Sequence, residues 1–376
     1  MKTSQLLFQN NQWIALHPSI ENVDLVLAFG ATSLIGNTAI YNKLKEEFKD
    51  AVIVSASTSG EILDSNVYDD TVVVTAIAFE KTKVNAVSTH FHQHKNSFEV
   101  GKYLMNELQS NDLTAVFVIS DGSFINGSEL VNGLNHNKPE EILVTGGLAG
   151  DAARFKQTLV GLNEVASEGR IVAIGFYGNQ IQIGHSSLGG WDEFGRERIV
   201  TKSNQNVLYE LDNRNALDLY KEYLGPYVDE LPGSALLFPL SLKVNNESTN
   251  LVRTILTIDE QHKTMTFAGN LPEGSKVRLM KANFEKLISA SSEAATQTLN
   301  YTRNNAPELA ILISCVGRKL ILQERTFEEV EAAKNIFGKE TMITGFYSYG
   351  EISPYNVNAT CELHNQTMTI TTFSEL

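Results

Sequence analysis

Three segments of the chain place an acidic residue directly after a glycine, close to the end of an apolar strand. The three pairs are Gly60–Glu61, Gly150–Asp151 and Gly350–Glu351. Glycine permits backbone conformations that a Cβ atom forbids, so each pair is typical of a sharp corner. If the corners pack around a common centre and face a shared cleft, their carboxylates would suit an ammonium group or a hard cation. The alternative is that each acid accepts hydrogen bonds from its own turn and only holds the corner.

The loops that lead into these corners carry groups that could contact a small polar ligand. They contain Ser57, Thr58 and Ser59 in the first copy, Gly146 and Gly147 in the second, and Tyr347 and Tyr349 in the third. Hydroxyl groups, free backbone amides and aromatic rings are common in ligand pockets. The glycine-rich second loop matches neither the Rossmann nor the P-loop spacing, which disfavours phosphate binding.

Arg318 is the cation that the sequence offers to such a ligand. It stands three residues after Cys315, just beyond a predicted buried strand. A guanidinium group can bind a carboxylate through two parallel hydrogen bonds. With the acidic corners, Arg318 would therefore suit a zwitterion such as an amino acid. The alternative is a surface arginine that ends a strand.

Three alternating histidines are weak candidates for metal or haem binding. On a β-strand, His90, His92 and His94 would project from one face. That face could bind a transition metal or provide an axial haem ligand, and His185 and His364 are further haem candidates. A solvated polar face would show the same alternation. No cysteine or carboxylate stands at metal-ligand spacing beside them.

No catalytic signature is present in the sequence. The Gly-x-Ser-x-Gly elbow and the zincin, kinase and P-loop patterns are all missing. Cys315 lies in an apolar segment, which is typical of a thiol in a core. We therefore expect no enzymatic activity. An enzyme would have to use the carboxylates for acid–base chemistry or metal binding, as in a hydrolase.

The bulk properties predict a globular protein of two domains. The chain has 376 residues, of which 42% are hydrophobic and 20% charged, and this length exceeds the usual size of one core. A net charge of -14 disfavours nucleic acid, whose phosphates attract clustered cations. No apolar run approaches the roughly 18 residues of a membrane span. With no signal-peptide pattern and only two cysteines, the expected location is the cytoplasm, without membrane insertion.

The elements around each corner predict the fold class. An apolar strand and an amphipathic helix precede each corner and a β-rich stretch follows it, so we expect an α/β to α+β fold. Mixed sheets would carry helices on their outer faces, and the two domains would share a repeated strand–helix–strand–Gly–acid unit. The turn signals at Gly225–Pro226 and Leu231–Gly233 predict a domain boundary. The resulting division is an N-terminal extension (1–23) and domains over 24–225 and 226–376. Residues 71–79 and 83–92 are predicted to form a β-hairpin.

Several of these motifs, in this order, resemble the FIST domains. The N-terminal domain is indicated by residues 57–62, 120–123, 146–151 and 190–191, and the C-terminal domain by 314–318, 345–352 and 364–367. The family name stands for F-box and intracellular signal transduction. Its prokaryotic members resemble cytoplasmic sensory proteins that work with histidine kinases, diguanylate cyclases or chemotaxis receptors.

The resemblance implies a stand-alone sensor, because the sequence shows neither an F-box nor an output module. Such a sensor would bind a small ligand, an amino acid being one candidate, in a cleft between the domains and would signal to a partner. One subgroup of the family binds haem and senses nitric oxide. A haem-binding sensor that regulates a histidine kinase or diguanylate cyclase is therefore the second interpretation. A carboxylate-dependent hydrolase and a pure protein-binding scaffold are two more.

Overall fold

Three mixed β-sheets surround a shared apolar core in the computed structural model, and a fourth sheet forms a separate body beside them. The structure describes residues 1–231, 233–243, 251–302, 306–355 and 360–376. Pro232, part of the predicted boundary signal, lies outside these residues.

The three-sheet body is formed by three successive units of the chain. The first unit contains β1 (Lys2–Gln9), β2 (Gln12–Ala15), β3 (Leu25–Gly30), α1 (Thr32–Ile35), α2 (Thr38–Glu47), β4 (Val52–Ser57), β5 (Glu61–Leu63), β6 (Asn66–Tyr68) and β7 (Val72–Ala78). The second contains β8 (Lys83–His90), a 3-10 turn (Phe91–Gln93), α3 (Ser97–Leu108), β9 (Leu113–Ser120), α4 (Gly127–Asn135), β10 (Leu143–Leu148), β11 (Val160–Leu162) and β12 (Arg170–Tyr177).

The third unit begins with β13 (Ile181–Leu188) and is interrupted by an inserted body. The insertion contains β14 (Asp192–Asn204), β15 (Val207–Leu211), β16 (Arg214–Asn215), α5 (Ala216–Leu224), 3-10 turns at Gly225–Glu230 and Gly233–Leu237, β17 (Leu240–Lys243), β18 (Leu251–Arg253), β19 (Ile255–Asp259), β20 (Thr264–Phe267) and β21 (Lys276–Lys281). The unit then resumes with α6 (Phe284–Leu299), a 3-10 turn (Asn300–Thr302), β22 (Leu309–Cys315), α7 (Val316–Leu322), a 3-10 turn (Gln323–Arg325), α8 (Thr326–Phe337), β23 (Met342–Ser348), β24 (Gly350–Pro354), β25 (Cys361–His364) and β26 (Met368–Glu375).

The three sheets share one strand order. Their central strands run β4-β3-β7-β1, β10-β9-β12-β8 and β23-β22-β26-β13. In each sheet the first two strands are parallel and the third is antiparallel to the second. The recurrence is one of topology. Duplication of the underlying sequence stays a prediction.

Each unit also gives one or two strands to the sheet of another unit. Strand β5 pairs with β23, β11 pairs with β4, and β24 pairs with β10. Strand β5 begins at Glu61 and β24 begins at Gly350, so both start within a Gly–acid pair, whereas β11 follows the pair Gly150–Asp151. The corners therefore lie where the chain passes from one sheet to the next.

The packing explains why these elements form. The inner faces of the three sheets meet in a core that includes Leu27, Phe117, Ile174, Ile311 and Phe346. The outer faces are covered by the apolar sides of α2 in the first unit, α3 and α4 in the second, and α6 and α8 in the third. Amphipathic helices bury such a side against a sheet. The predicted mixed sheets with outer helices are confirmed.

The inserted body has its own apolar core and contacts the second unit through polar groups. Its core is formed by β14–β21 and α5, and Tyr220 is its largest fully buried side chain. Asn270 receives a hydrogen bond from Asn126 (3.0 Å), and its Nδ2 atom donates to Glu129 (2.8 Å) at the start of α4.

One local prediction is wrong. The segments 71–79 and 83–92 contain strands β7 and β8, but these pair in different sheets and form no hairpin. The turn between them is instead held by the Glu375 carboxylate, which accepts from the backbone N–H groups of Glu80, Lys81 and Thr82. Residues 235–238 lie largely in the 3-10 turn Gly233–Leu237. Residues 1–23 supply β1 and β2 to the first sheet.

Candidate functional site

The three corners meet at one place, which we call the corner junction (residues 57–61, 146–151 and 347–351). Gly150 N donates to Ser57 O (2.9 Å), and Ser57 Oγ donates back to Gly150 O (2.8 Å). Ser59 N donates to Tyr347 O, and Tyr347 N donates to Gly60 O, both at 2.8 Å. These bonds join the first corner to the second and the third.

The second and third corners also touch each other. Tyr349 N donates to Leu148 O (3.2 Å), and Tyr349 Oη donates to Ala152 O (3.3 Å). Gly147 lies opposite Glu351 in the β10–β24 pairing. The equivalent corners predicted from the sequence are therefore neighbours in the fold.

The glycines make this close approach feasible. Gly146 has φ = +147°, and a Cβ atom added there would lie 1.9 Å from Val118 O. A Cβ atom on Gly150 would lie 2.3 Å from Ser59 Oγ. Only glycine fits positions where two backbones come this close.

Glu61 is buried and fully engaged by its own corner. Thr58 Oγ1 donates to its Oε1 atom (2.5 Å), while Thr71 donates to Oε2 from both Oγ1 (2.7 Å) and N (3.2 Å). Burial raises the pKa of Glu61 to about 7, although these hydrogen bonds oppose the rise. The neutral acid thus competes with the carboxylate near neutral pH.

Glu351 lies in a similar environment. Ser348 Oγ donates to Oε1 (2.6 Å), and Thr367 donates to Oε2 from Oγ1 (2.9 Å) and N (3.3 Å). The side chain is completely buried, and burial raises its pKa to about 8.

Asp151 differs because it has a cationic partner. It accepts from Thr32 Oγ1 (2.8 Å), from Arg154 Nε and Nη2 (2.8 and 2.6 Å) and from Gln157 N (3.2 Å). Burial pushes the pKa of Asp151 upward, but the hydrogen bonds from Arg154, Thr32 and Gln157 outweigh it and leave the pKa lowered. Glu61 and Glu351 thus accept hydrogen bonds only from their own units, whereas Asp151 accepts from Arg154 and Gln157 of its own unit and from Thr32 of the first unit.

Arg318 does not face a ligand, and its predicted role is wrong. The guanidinium is completely buried, and its Nε and Nη2 atoms donate to Glu329 Oε2 (2.9 and 2.7 Å). Its remaining bonds go to the carbonyl oxygens of Gly189 (2.6 Å) and Leu287 (2.8 Å). Tyr347 also turns inward, because its hydroxyl group donates to Glu329 Oε1 (2.7 Å).

Lys319, the next residue along α7, reaches the corner junction that Arg318 does not reach. Its Nζ atom donates to Ser59 O (2.9 Å), forms an ion pair with Asp69 and lies 5.5 Å from the centre of the Tyr347 ring. The side chain is 18% exposed. The sequence did not single out Lys319, because Arg318 beside it carries the same positive charge.

Two exposed side chains, Arg154 and Phe155, lie on the segment that follows the second corner. Arg154 is 51% exposed, and the Phe155 ring stacks on Tyr349 with 4.7 Å between ring centres. The hydrogen bond to Asp151 raises the pKa of Arg154, and Asp70 contributes in the same direction. We call the set Asp69, Asp70, Arg154, Phe155, Lys319 and Tyr349 the rim of the junction.

The three alternating histidines do not share a strand face. Strand β8 ends at His90, whose side chain accepts from His92 N in a capping box that starts a 3-10 turn. His94 bonds instead to Thr89 Oγ1 (2.7 Å). Within the described ranges, no group of three or more His, Cys, Asp or Glu side chains is arranged to hold a metal ion.

The other two histidines are buried separately from the junction. Burial lowers the pKa of both His185 and His364 to about 4. His364 Nε2 lies 2.9 Å from Ser353 O, and His185 Nε2 lies 3.0 Å from the Tyr301 hydroxyl.

None of the helices in the described part of the chain has the length and apolar character needed to cross a membrane.

The fold and junction define a mixed α/β protein in which three sheets exchange strands around a shared corner. Family comparison matches residues 24–214 to the FIST N domain and residues 216–354 to the FIST C domain. The chain therefore belongs to the FIST family, whose domains are generally sensory modules of signal transduction. The resemblance seen in the sequence motifs is confirmed.

Comparisons with curated proteins and with solved structures do not extend the family assignment. No curated protein matched the chain. Among solved structures, a cyanuric acid hydrolase from A. caulinodans is similar with a TM-score of 0.36 and 7% identity, covering 94% of this chain and 90% of that chain. A likeness at this level supports no conclusion about activity.

Proposed function

We propose that this protein is a sensor that binds a free amino acid at the rim of the corner junction. The observation that carries the proposal is that the rim presents both signs of charge around the partly exposed Lys319. Asp69 and Asp70 precede β7, Arg154 follows the second corner, and Lys319 belongs to α7. The ligand would therefore contact loops from all three units.

The chemistry of the rim suits a zwitterion. Lys319 and Arg154 can bind a carboxylate, and Asp69 and Asp70 can bind an ammonium group. The stacked rings of Phe155 and Tyr349 give a side chain an apolar surface. Glu61, Asp151 and Glu351 take a supporting role in this proposal, because they fix the loops that carry the rim.

A ligand at this position could change the conformation of the protein. The rim joins loops whose strands lie in different sheets, so a ligand that favours one arrangement of the loops shifts the population of the whole body. The change would be passed to a partner such as a histidine kinase, a diguanylate cyclase or a chemotaxis receptor. A purified candidate kinase, assayed for autophosphorylation with this protein and with and without the bound amino acid, tests that step.

Calorimetry with the twenty standard amino acids tests the binding step. We expect at least one to bind, and we expect Lys319→Gln and Asp69→Asn each to weaken it by about tenfold, since each removes one charged contact. Lys43→Gln is the matched control, because Lys43 forms a comparable exposed ion pair on α2. Binding unchanged in both rim variants, or no binding by any amino acid at millimolar concentration, would disprove the proposal.

A further inference from the structure

The first sheet ends in β2, which pairs only with β1 in the described part of the chain, and this pairing has no bulge. Leu16 N donates to Gln5 O (3.0 Å), which fixes the alternation of the ladder. The N–H and C=O groups of Ile14 therefore face β1, whereas those of Trp13 and Ala15 face outward. Two donors and two acceptors are thus available at the outer edge of β2.

The edge also presents apolar side chains on one face. Ile14 and Leu16 are each 41% exposed, and they project from the same face of β2 because side chains two residues apart do so. Leu7, opposite Ile14 on β1, is buried with Leu63 and Val73. The exposed pair therefore extends an apolar cluster to the edge of the sheet.

The β2 edge lacks most of the features that keep a strand from pairing with another chain. Such features are charged side chains, a proline or a bulge within the edge strand. The sequence from Thr3 to Ile20 contains no Asp, Glu, Lys or Arg, and Pro18 lies beyond the end of β2. The edge is protected only by its short length of four residues. It can thus form a small number of bonds to a further strand.

The charge of the chain favours a second copy of itself as the partner of this edge. A symmetric contact brings each surface against its own copy, so any charge within it meets a like charge. With a net charge of -14, two copies of the chain repel each other in general. The β2 edge lies in an uncharged stretch and escapes this repulsion, and it offers no charge that would attract a charged peptide.

The alternation of the backbone groups selects one register for such a contact. If two copies of β2 pair antiparallel about a two-fold axis at Ile14, Trp13 of each copy lies opposite Ala15 of the other. Both residues direct their backbone groups outward, so the two Trp13–Ala15 pairs form four hydrogen bonds. Ile14 lies opposite Ile14 of the second copy in the type of pair that brings side chains closest, with Leu16 diagonally across. A register centred between two residues would set outward groups against inward groups and form none of these bonds.

We propose that β2 forms a dimer interface by pairing antiparallel with β2 of a second copy of this chain, with Ile14 at the two-fold axis. The contact joins two six-stranded sheets into one continuous sheet. Two-fold dimers are the commonest assembly of identical chains. Four hydrogen bonds and a few apolar contacts make a small interface, so the dimer is weak and depends on concentration. No residue of the rim lies on β1 or β2, which makes this inference independent of the amino-acid proposal.

Sedimentation equilibrium of the full chain, from micromolar to about millimolar concentration, tests the inference. We expect a monomer–dimer equilibrium that strengthens with salt, because salt screens the net repulsion between two acidic chains.

A proline substitution tests the hydrogen bonds of the interface. Ala15→Pro removes an N–H group that faces outward, so it leaves the ladder between β1 and β2 intact. It deletes two of the four hydrogen bonds and should weaken the dimer by about tenfold or more. Ala15→Ser keeps the N–H group and is the matched control, with an expected affinity within about twofold of that of the native chain.

Two charge variants test the register. Ile14→Lys and Ile14→Glu each place two like charges directly opposite each other, so each variant alone should remain monomeric. An equimolar mixture of the two should dimerise, since lysine then lies opposite glutamate. Tyr103→Lys and Tyr103→Glu change a comparably exposed residue on α3 and should each associate as the native chain does.

Two results would overturn the inference. One is a native chain that stays monomeric at about millimolar concentration, even if the edge then binds an extended peptide of another protein. The other is a mixture of the two Ile14 variants that is no more associated than its components. The second result can be read even if Ala15→Pro fails to fold, because the Ile14 side chain is exposed and its replacement leaves the backbone ladder in place.

Discussion

Glu61 and Glu351 are held by the same pattern of donors. Each accepts from a hydroxyl group three residues earlier, Thr58 or Ser348, and from both the N–H and the hydroxyl of a later threonine. The residue before that threonine has a positive φ in both cases, +57° at Asp70 and +61° at Gln366. The chain thus builds one kind of corner twice, and Asp151 replaces part of the pattern with an arginine.

Protonation of Glu351 should make stability depend on pH. Burial raises its pKa from 4.5 to about 8 in the folded state, so the folded protein keeps a proton that the unfolded chain releases. The free energy of unfolding should therefore fall as pH rises from 6.5 to 8, by up to about 1.4 kcal/mol per pH unit. Glu351→Gln should remove the larger part of this slope in urea titrations and leave the smaller part that Glu61, with a pKa of about 7, contributes. Glu46→Gln should leave the slope unchanged.

Between about pH 4 and 6.5, His185 and His364 act in the opposite direction. Their pKa values are lowered to about 4, so the unfolded chain binds more protons there and stability rises with pH. The Glu351 contribution is therefore best seen above pH 6.5. An identical slope in the native chain and in Glu351→Gln between pH 6.5 and 8 would contradict the assignment.

Arg318→Met should destabilise the fold without altering ligand affinity. The substitution leaves Glu329 as an uncompensated buried charge, and breaking such a pair costs about 3–5 kcal/mol. Arg325→Met breaks exposed ion pairs with Glu285 and Glu328 and should have little effect. Chemical denaturation measures the difference. A ligand affinity that falls with Arg318→Met while stability is kept would restore Arg318 to the binding site.

Gly146→Ala should be far more damaging than Gly338→Ala. Both glycines have positive φ, so both substitutions carry the same class of backbone strain, about 1–2 kcal/mol. A Cβ atom at Gly338 would meet nothing within 4 Å, whereas at Gly146 it would strike the Val118 carbonyl oxygen. We expect a loss above about 4 kcal/mol for Gly146→Ala. Comparable urea midpoints for the two variants would show that the junction can relax.

A fragment of residues 1–225 should not fold, whereas a fragment of residues 192–281 should. In the first fragment, β5 and β13 lose their partners β23 and β26, and the shared core loses its third sheet. The second fragment keeps the whole core of the inserted body. Circular dichroism during thermal unfolding distinguishes the cases. A cooperative transition of the first fragment would show that the predicted domain boundary also divides the fold.

The sequence predicts most elements because their signals are local. The apolar run before Gly30 forms β3, and the spacing of Ile40 and Leu44 places α2. Gly338 ends α8, and Thr326 lies inside that helix, where its hydroxyl group donates to Gln323 O. Pairing is not local: β7 and β8 are neighbours in sequence but lie in different sheets.

In the candidate site too, local features can be predicted from the sequence, whereas contacts between distant segments cannot. The glycine–acid corners can be predicted, because glycine beside an acid is informative by itself. The burial of Arg318 depends on Glu329, which approaches it only when α8 packs against α7. Sequence spacing alone therefore does not distinguish Arg318 from Lys319.

The inserted body enters the third unit between its first strand, β13, and the helix that follows, α6. In the second unit, the corresponding link between β8 and α3 is little more than the turn Phe91–Gln93. The same link thus spans either a single turn or an entire folded body, and the shared strand order survives in both cases. Loops whose ends stay close together tolerate long additions at small entropic cost. This link is therefore a natural attachment point, at which evolution or an engineer could exchange one accessory module for another while the sensing body stays intact.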